Sequence, residues 1–474
     1  MTIAYVALIL TLPATLVAFA LMKPTRALLF ILLGGLLFLP EKLAFDAPLI
    51  PPLDKHAILA MCLMIGVLIF GGSSVRRAQP GRGIDLLLIL AVLIVPVGRV
   101  LTNGDALTYG PLRIAGLSAS DILSLMLNQL LGPTIIFFLG RALFRNPDEA
   151  RDLLRALAIA GLVYLPFCLV ELRFSPQFHV WVYGFRQHAF NQSIRGDSYR
   201  PMVFMAHGLA LAMLYVAAVI SAITLSRMRV TLFKRFSASK AALVLTGLLA
   251  ILNSAGALIY GLISVPLLLL RPKTVLRVAC FLACIVAVYP VLRATDIFPS
   301  KALVDVAARF SHQRASSLRF RFENEDVLLK KALERPLFGW GWHGRNRVYD
   351  REGSDQTVTD GAWIVTLGYE GVVGLSFQLA LLLIPVFLAM ARVNRVDRAD
   401  QPLLASAALI CALYSLDLLP NGMFNDLPMF FSGALTGLSQ GLSTQPRRRI
   451  NPALVALLLN ALRRASARPS LRAP

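Results

Sequence analysis

Four arginines, Arg309, Arg314, Arg319 and Arg321, crowd a polar segment of an otherwise apolar chain. Planar guanidiniums offer paired N–H donors to phosphate oxygens, so the cluster suits a pyrophosphate at a membrane surface. The segment Arg309–Arg321 has helical character, with Arg314 and Arg321 on one face at i, i+7. The bland alternative is a solvated basic helix lying against anionic lipid heads. Arg195 and Arg200 form a second basic group, and Pro201 then leads into an apolar run through His207-Gly208. His207 is expected a turn or two inside the membrane, where a histidine is most simply hydrogen-bonded to a neighbour.

Downstream, Pro336-Leu337-Phe338-Gly339-Trp340-Gly341-Trp342 sets three aromatics among two glycines. Trp340 and Trp342 are candidate stacking platforms for a sugar face, and the glycines allow backbone N–H groups to approach a ligand. An aromatic interface belt with a turn explains the same residues without a ligand. Asp360 opens the next span, either as a helix cap or as a base that takes a proton from an attacking hydroxyl. Glu370 falls inside that span, where a carboxylate calls for a partner such as an arginine. Gly371 and Gly374 read as close helix packing.

These residues need a membrane scaffold. At 474 residues, 57% hydrophobic and 15% charged, the chain is too apolar for a soluble domain. Apolar runs long enough to cross a bilayer recur at about 3–22, 26–39, 56–71, 84–100, 121–140, 152–172 and 203–224. Others lie at about 241–254, 256–270, 274–293, 360–391, 402–418 and 427–443. The expected fold is an all-α integral membrane bundle of about 12–13 transmembrane helices. Ile3–Met22 reads as a retained first span rather than a signal peptide. No internal repeat or flexible linker divides the chain. The net charge of +21 is spread between apolar runs rather than gathered on one soluble face, which argues against nucleic acid. The five cysteines sit in apolar runs and read as packing residues.

Basic clusters at Lys23/Arg26, Arg76–Arg82, Arg227–Lys240, Arg271–Arg277 and Arg392–Arg398 mark cytoplasmic loops, as does the arginine-rich tail. The apolar stretch 241–270, interrupted at Asn253-Ser254-Ala255-Gly256, has basic clusters at both ends and must go in and return. On this parity the segments 173–202 and 294–357 are both outer loops. The second carries eleven Lys/Arg against nine Asp/Glu. No Walker-type loop, dinucleotide fingerprint, HExxH or His/Cys cluster occurs, so no metal or cofactor is expected and any bond-making draws on an activated substrate.

The pieces resemble the O-antigen polymerase and ligase superfamily of bacterial envelope glycan assembly. Arg321 and the Pro336–Gly341 run fit the family's pattern of an arginine about fifteen residues before Pro-Leu-Phe-Gly-x-Gly, with Glu325 where the family often has Trp. Arg200 with His207-Gly208 looks like its earlier arginine motif, and Asn253–Ala257 like its small-residue hairpin. The ligase branch carries a histidine at the start of a spacing that this chain keeps as Asp360-Gly361, nine residues, Gly371 and Gly374. Asp in place of His fits a polymerase better. The likeness covers roughly residues 195–390.

The resemblance implies a metal-independent membrane glycosyltransferase of the bacterial inner membrane, active on its periplasmic face. The organisation is then N-terminal helices (1–172), a basic periplasmic loop (173–202) and helices with a hairpin near 253–256 (203–293). A large periplasmic loop containing short helices (294–359), C-terminal helices (360–443) and a basic cytoplasmic tail (444–474) follow. A polymerase of this kind transfers glycan from undecaprenyl pyrophosphate to a hydroxyl of another lipid-linked unit. Arg195, Arg200, Arg314, Arg319 and Arg321 would stabilise the leaving pyrophosphate. Asp360 is the first candidate base and His343 the second. A flippase and a chain-length regulator are the implied protein partners. The alternatives are a ligase passing finished glycan to another acceptor, and a transporter, which would place ionisable groups at mid-membrane on broken helices.

Overall fold

The computed structural model describes residues 2–46, 50–196, 198–233, 236–422 and 425–444. The side chain of Arg314 and the tail beyond Thr444 lie outside those described residues. Apolar runs punctuated by Pro, Gly and capping side chains give a chain that is helical almost throughout. The first half contains α1 (Thr2–Leu21), α2 (Pro24–Phe38), α3 (Lys55–Phe70), α4 (Gly72–Ala78), α5 (Ile84–Thr102), α6 (Asp121–Gln129), α7 (Ile135–Leu143), α8 (Pro147–Phe174) and α9 (Phe178–Tyr183). The second contains α10 (Gly208–Arg227), α11 (Ala238–Ile251), α12 (Ala255–Leu267), α13 (Pro272–Ala294), α14 (Ser300–Phe310), α15 (His312–Leu333), α16 (Ala362–Arg392), α17 (Gln401–Asp417) and α18 (Leu427–Thr444). Among the described residues, strands occur only as four short two-stranded ladders.

Every expected span has a helix at its position, but the helices are unequal. Seven segments are long and apolar enough to cross a bilayer: α1, α5, the α6–α7 unit, α8, α10, α13 and α16 with its short extension. An eighth arises if α3 and α4, bent by 97°, form one broken span. The helices α2, α11, α12 and α17 have 15, 14, 13 and 17 residues. They fall short of the roughly 20 residues that a full crossing needs. By length and apolarity the expected 12–13 crossings therefore reduce to seven or eight. The chain is an all-α, multi-pass membrane protein.

The core is built around α10, which is apolar on all sides and buried on all sides, as such a helix must be. It packs against α8, α11, α12 and α17. The stretch 241–270 is a hairpin rather than one tilted span. Leu249 of α11 meets Gly261 of α12, where an added Cβ would stand 2.6 Å from Leu249 Cδ2. A ladder of Gly433, Gly437 and Gly441 lets α18 approach the backbone of α7 and its C-terminal extension at Phe137, Arg141 and Arg145, a small-residue seam typical of membrane helices.

Two helices that look continuous in sequence are broken. The α6–α7 unit passes through a π-helical turn at Leu130–Thr134, where Pro133 lacks the N–H that a regular ladder requires. Helix α16 is interrupted at Gly371, whose φ of 66° and ψ of −167° leave the helical region. The basic segment expected as one helix over Arg309–Arg321 is also divided. Ser311 is extended, so Arg309 ends α14 while Arg321 sits in α15.

Candidate functional site

The basic loop after α8 is tied at both ends by one residue that the sequence reading passed over. Glu171 is 1% exposed and accepts hydrogen bonds from Gln177 N, Phe178 N, Met202 N and Val203 N at 2.7–3.1 Å. A buried carboxylate that accepts several backbone N–H groups is a strong structural tie. Arg200, at the loop's end, is held through its backbone N–H by Ser193 O at 2.7 Å. Its guanidinium donates through Nε and Nη2 to Asn253 O at 3.1 and 2.9 Å. Asn253 in turn donates to Ser198 Oγ and Tyr199 O, so the α11–α12 turn and the basic loop interlock.

Burial lowers the Arg200 pKa to about 10, with Arg195 and then Arg321 adding to the effect. Arg195 is lowered in the same way, by burial first and then by Arg321. Arg195, Arg200 and Arg321 therefore feel one another at one end of the bundle, although they come from two loops more than a hundred residues apart. Gly208 makes room for this. A Cβ there would stand 2.5 Å from Arg200 Cγ and 2.7 Å from Pro201 O.

His207 is not inside the membrane helix as expected; it is the N-cap of α10, with Nδ1 accepting from Leu209 N at 3.0 Å. Its ring packs edge-on to His188, centroids 4.7 Å apart. Burial, with His188 and the three arginines, pushes its pKa down to about 3. It is a neutral capping group.

Arg321 meets the start of α16. Its Nε lies 3.6 Å from Asp360 Oδ2, and its Nη1 donates to Pro420 O at 3.2 Å. Asp360 is not the helix cap. The N-cap is Gly361, and no side chain caps it. Helix α15 is locked in place one turn beyond Arg321. Glu325, 5% exposed, accepts from Tyr289 Oη at 2.9 Å, Arg293 Nε at 3.1 Å and Trp363 Nε1 at 3.3 Å. Arg293 also reaches Asp326 at 2.7 Å. Burial raises the Glu325 pKa, against the lowering pull of Arg293.

The Pro336–Trp342 run proves to be a backbone splice. The break at Gly371 frees carbonyls and N–H groups of α16, and the loop satisfies them. Trp340 N and Gly341 N donate to Gly368 O and Tyr369 O at 2.8 and 3.0 Å. Val372 N and Val373 N donate to Pro336 O and Leu337 O at 2.7 and 3.1 Å. Gly371 thus serves a close loop-to-helix approach rather than helix–helix packing: a Cβ there would stand 2.6 Å from Gly339 N. The loop is anchored by Arg345, fully buried, which donates to Trp340 O, Asp105 O, Ala115 O and Asp105 Oδ1.

No family model and no curated protein matches the chain.

The expected site residues thus divide. Arg195, Arg200, Arg321 and Asp360 come together. Arg319 is exposed and, two residues from Arg321, about 200° around the helix from it. Arg314 shares the Arg321 face by spacing, but its side chain lies outside the described residues. Trp340 is corrected from a sugar platform to a structural residue. It is 5% exposed, donates to Lys331 O, and its ring is covered by Lys331 and Arg335 at 3.6 and 4.2 Å. Trp342 is half-buried beside Tyr369, ring centroids 6.3 Å apart. His343 is exposed, and among the described residues no hydrogen bond or ion pair joins it to Arg321 or Asp360. Glu370 has the arginine partner it required, with Arg99 Nη1 at 3.4 Å.

Chemically, the cluster gathers three guanidiniums, of which Arg321 faces Asp360 and also feels the buried Asp417. The Arg321–Asp360 separation exceeds the roughly 2.7–2.9 Å of a charge-assisted hydrogen bond. An arriving anion finds donors that are not already saturated, with a carboxylate at their edge.

Proposed function

We propose that this chain is a polymerase of cell-surface polysaccharide in the bacterial inner membrane. It transfers glycan from undecaprenyl pyrophosphate to a hydroxyl of another lipid-linked repeat unit on the periplasmic face. The observation that carries the reading is the convergence of Arg195, Arg200 and Arg321 on the Asp360 end of α16. In the reaction the acceptor oxygen bonds to the donor's anomeric carbon while the bond from that carbon to the pyrophosphate oxygen breaks. Asp360 takes the hydroxyl proton, and the arginines hold the charge growing on the departing pyrophosphate, where preorganised donors help most. Two lipid anchors in one bilayer supply proximity. The interlock of Arg200 with the Asn253 turn supports the likeness to the family's motifs.

A deletion strain analysed for lipid-linked glycans tests this. Accumulated single repeat units support the polymerase, whereas accumulated long chains on the carrier support a ligase. One observation favours a second reading, transport. Helix α16 is broken at Gly371, beside the pair of half-buried Glu370 and buried Arg99, which is how transporters set ionisable groups at a binding site. A deletion strain with normal glycan intermediates and lost solute flux would select that reading.

A further inference from the structure

A cavity of about 450 Å³ runs along α16, and Arg195, Arg200, Arg321 and Asp360 contribute nothing to its lining. Thr366, Glu370, Gly374 and Gln378 follow one another along its α16 wall, at helical spacing. The end of α6 lines it through Gln129 and the π-helical turn through Gly132 and Pro133, and π turns in helices concentrate at functional sites. Trp342 and Tyr369, near-parallel at 29°, stand in the wall between.

The chemistry of this lining is specific. No Lys or Arg faces the cavity among the described residues; its ionisable groups are Asp54, His56, Glu370 and Asp426, besides the Tyr369 phenol. Asp54 is occupied as the cap of α3, and His56 Nδ1 lies 2.8 Å from Asp426 Oδ2. Glu370 faces Arg99, which is 3% exposed, whose Nε and Nη2 have no hydrogen-bond partner and whose guanidinium carbon lies 5.7 Å from the Trp342 ring centroid. The side-chain amides of Asn128, Gln129 and Gln378 make no hydrogen bond among the described residues. Three half-buried amides, each both donor and acceptor, thus present unused hydrogen-bonding groups to the cavity. Aromatic faces together with free amides match a ligand with apolar ring faces and vicinal hydroxyls. The cations at its edge, His56 and Arg99, are each set against a carboxylate, Asp426 and Glu370, which disfavours an anionic ligand.

We propose that this cavity binds uncharged sugar residues, through Trp342, Tyr369 and the free amides, as a site separate from the arginine cluster. Tyr369 lies within about 10 Å of helix rise from the start of α16, close enough for a glycan to reach Asp360. Resting on the polymerase reading, the occupant is the sugar end of the acceptor.

The test uses the full chain in nanodiscs, titrated calorimetrically with neutral tetrasaccharides of glucose, galactose and N-acetylglucosamine. Tetragalacturonate serves as anionic comparator and inorganic pyrophosphate as competitor. At least one neutral tetrasaccharide is expected to bind saturably, the comparator not, and pyrophosphate not to compete. Gln378→Leu and Trp342→Ala should each weaken binding tenfold or more, and Arg321→Ala should leave it unchanged. The proposal is overturned if no neutral sugar binds, if the comparator binds equally, if pyrophosphate competes, or if Gln378→Leu has no effect. If sugars bind as stated while Arg200→Ala and Arg321→Ala leave pyrophosphate binding intact, the polymerase reading fails and the sugar site stands.

Discussion

Arg321 and Asp360 face each other at 3.6 Å, each about one-third exposed, across the gap between α15 and α16. Because Gly361 holds the N-cap position, the Asp360 carboxylate has no part in starting the helix. Asp360→Asn should therefore leave thermal stability unchanged and lower glycan transfer by roughly 10²–10⁴-fold, the range of a lost general base. Transfer assayed with purified lipid-linked units checks this. A variant retaining more than a tenth of the activity would remove Asp360 from the chemistry.

Gly208→Ala reaches the arginine cluster without touching a charge. Its methyl group would displace the Arg200 stem and loosen the fork on Asn253 O. Pyrophosphate affinity should fall roughly tenfold, equivalent to about 1.4 kcal/mol, as it should in Arg200→Lys, which cannot keep the two-pronged contact. Equal affinity in wild type and Gly208→Ala would mean that Arg200 does not bind the anion.

Gly371→Ala tests the splice. The position has positive φ, and its Cβ would collide with the Leu337 carbonyl and with Gly339 N. The backbone alone costs about 1–3 kcal/mol, and the collision adds to it. Thermal unfolding in detergent should show a clear loss. Gly34→Ala, with open space around its Cβ, should show none.

Glu325→Ala should detach α15 from α13 and α16. It removes the acceptor for Tyr289, Arg293 and Trp363, with Arg293 keeping only Asp326 and Phe322 O. Hydrogen bonds to a charged group contribute about 1.5–3 kcal/mol each. Lower stability together with reduced transfer is the expected result, measured by unfolding and by polymer length. Stability at the wild-type level would separate the network from the positioning of Arg321.

The helices were legible because apolar runs and basic punctuation carry bilayer physics directly. Arg200 and Arg321 stood out because clustered guanidiniums in polar segments between apolar runs are unusual. Three things were not legible. Asp360 looked like a cap because sequence cannot show that Gly361, one residue later, holds the capping dihedrals. Trp340 looked like a platform because its cover, Lys331 and Arg335, comes from the turn before it. Gly371 looked like packing because the loop that replaces its hydrogen bonds lies thirty residues upstream in the chain. Glu171 offered a signal, a lone carboxylate near the end of an apolar run, whose partners are backbone groups that carry no sequence signature.

His207 gives the pH prediction. In the fold its imidazole stays neutral down to about pH 3, because burial, His188 and the three arginines oppose its charge while Nδ1 accepts from Leu209. In the unfolded chain it titrates near the ordinary value of 6.5. Between those limits the unfolded state binds the additional proton, so this residue's contribution is complete above about pH 6.5 and is lost progressively as pH falls toward 3. His207→Asn keeps a capping acceptor and removes the titration. Wild-type thermal stability should fall more steeply than the variant's between pH 7.5 and pH 5, and the two curves should run parallel above pH 7. Parallel curves over the whole range would mean that His207 takes up its proton alike in the folded and unfolded chain, and a wild-type curve that rises relative to the variant as pH falls would mean that it is charged in the fold; either outcome removes the neutral cap.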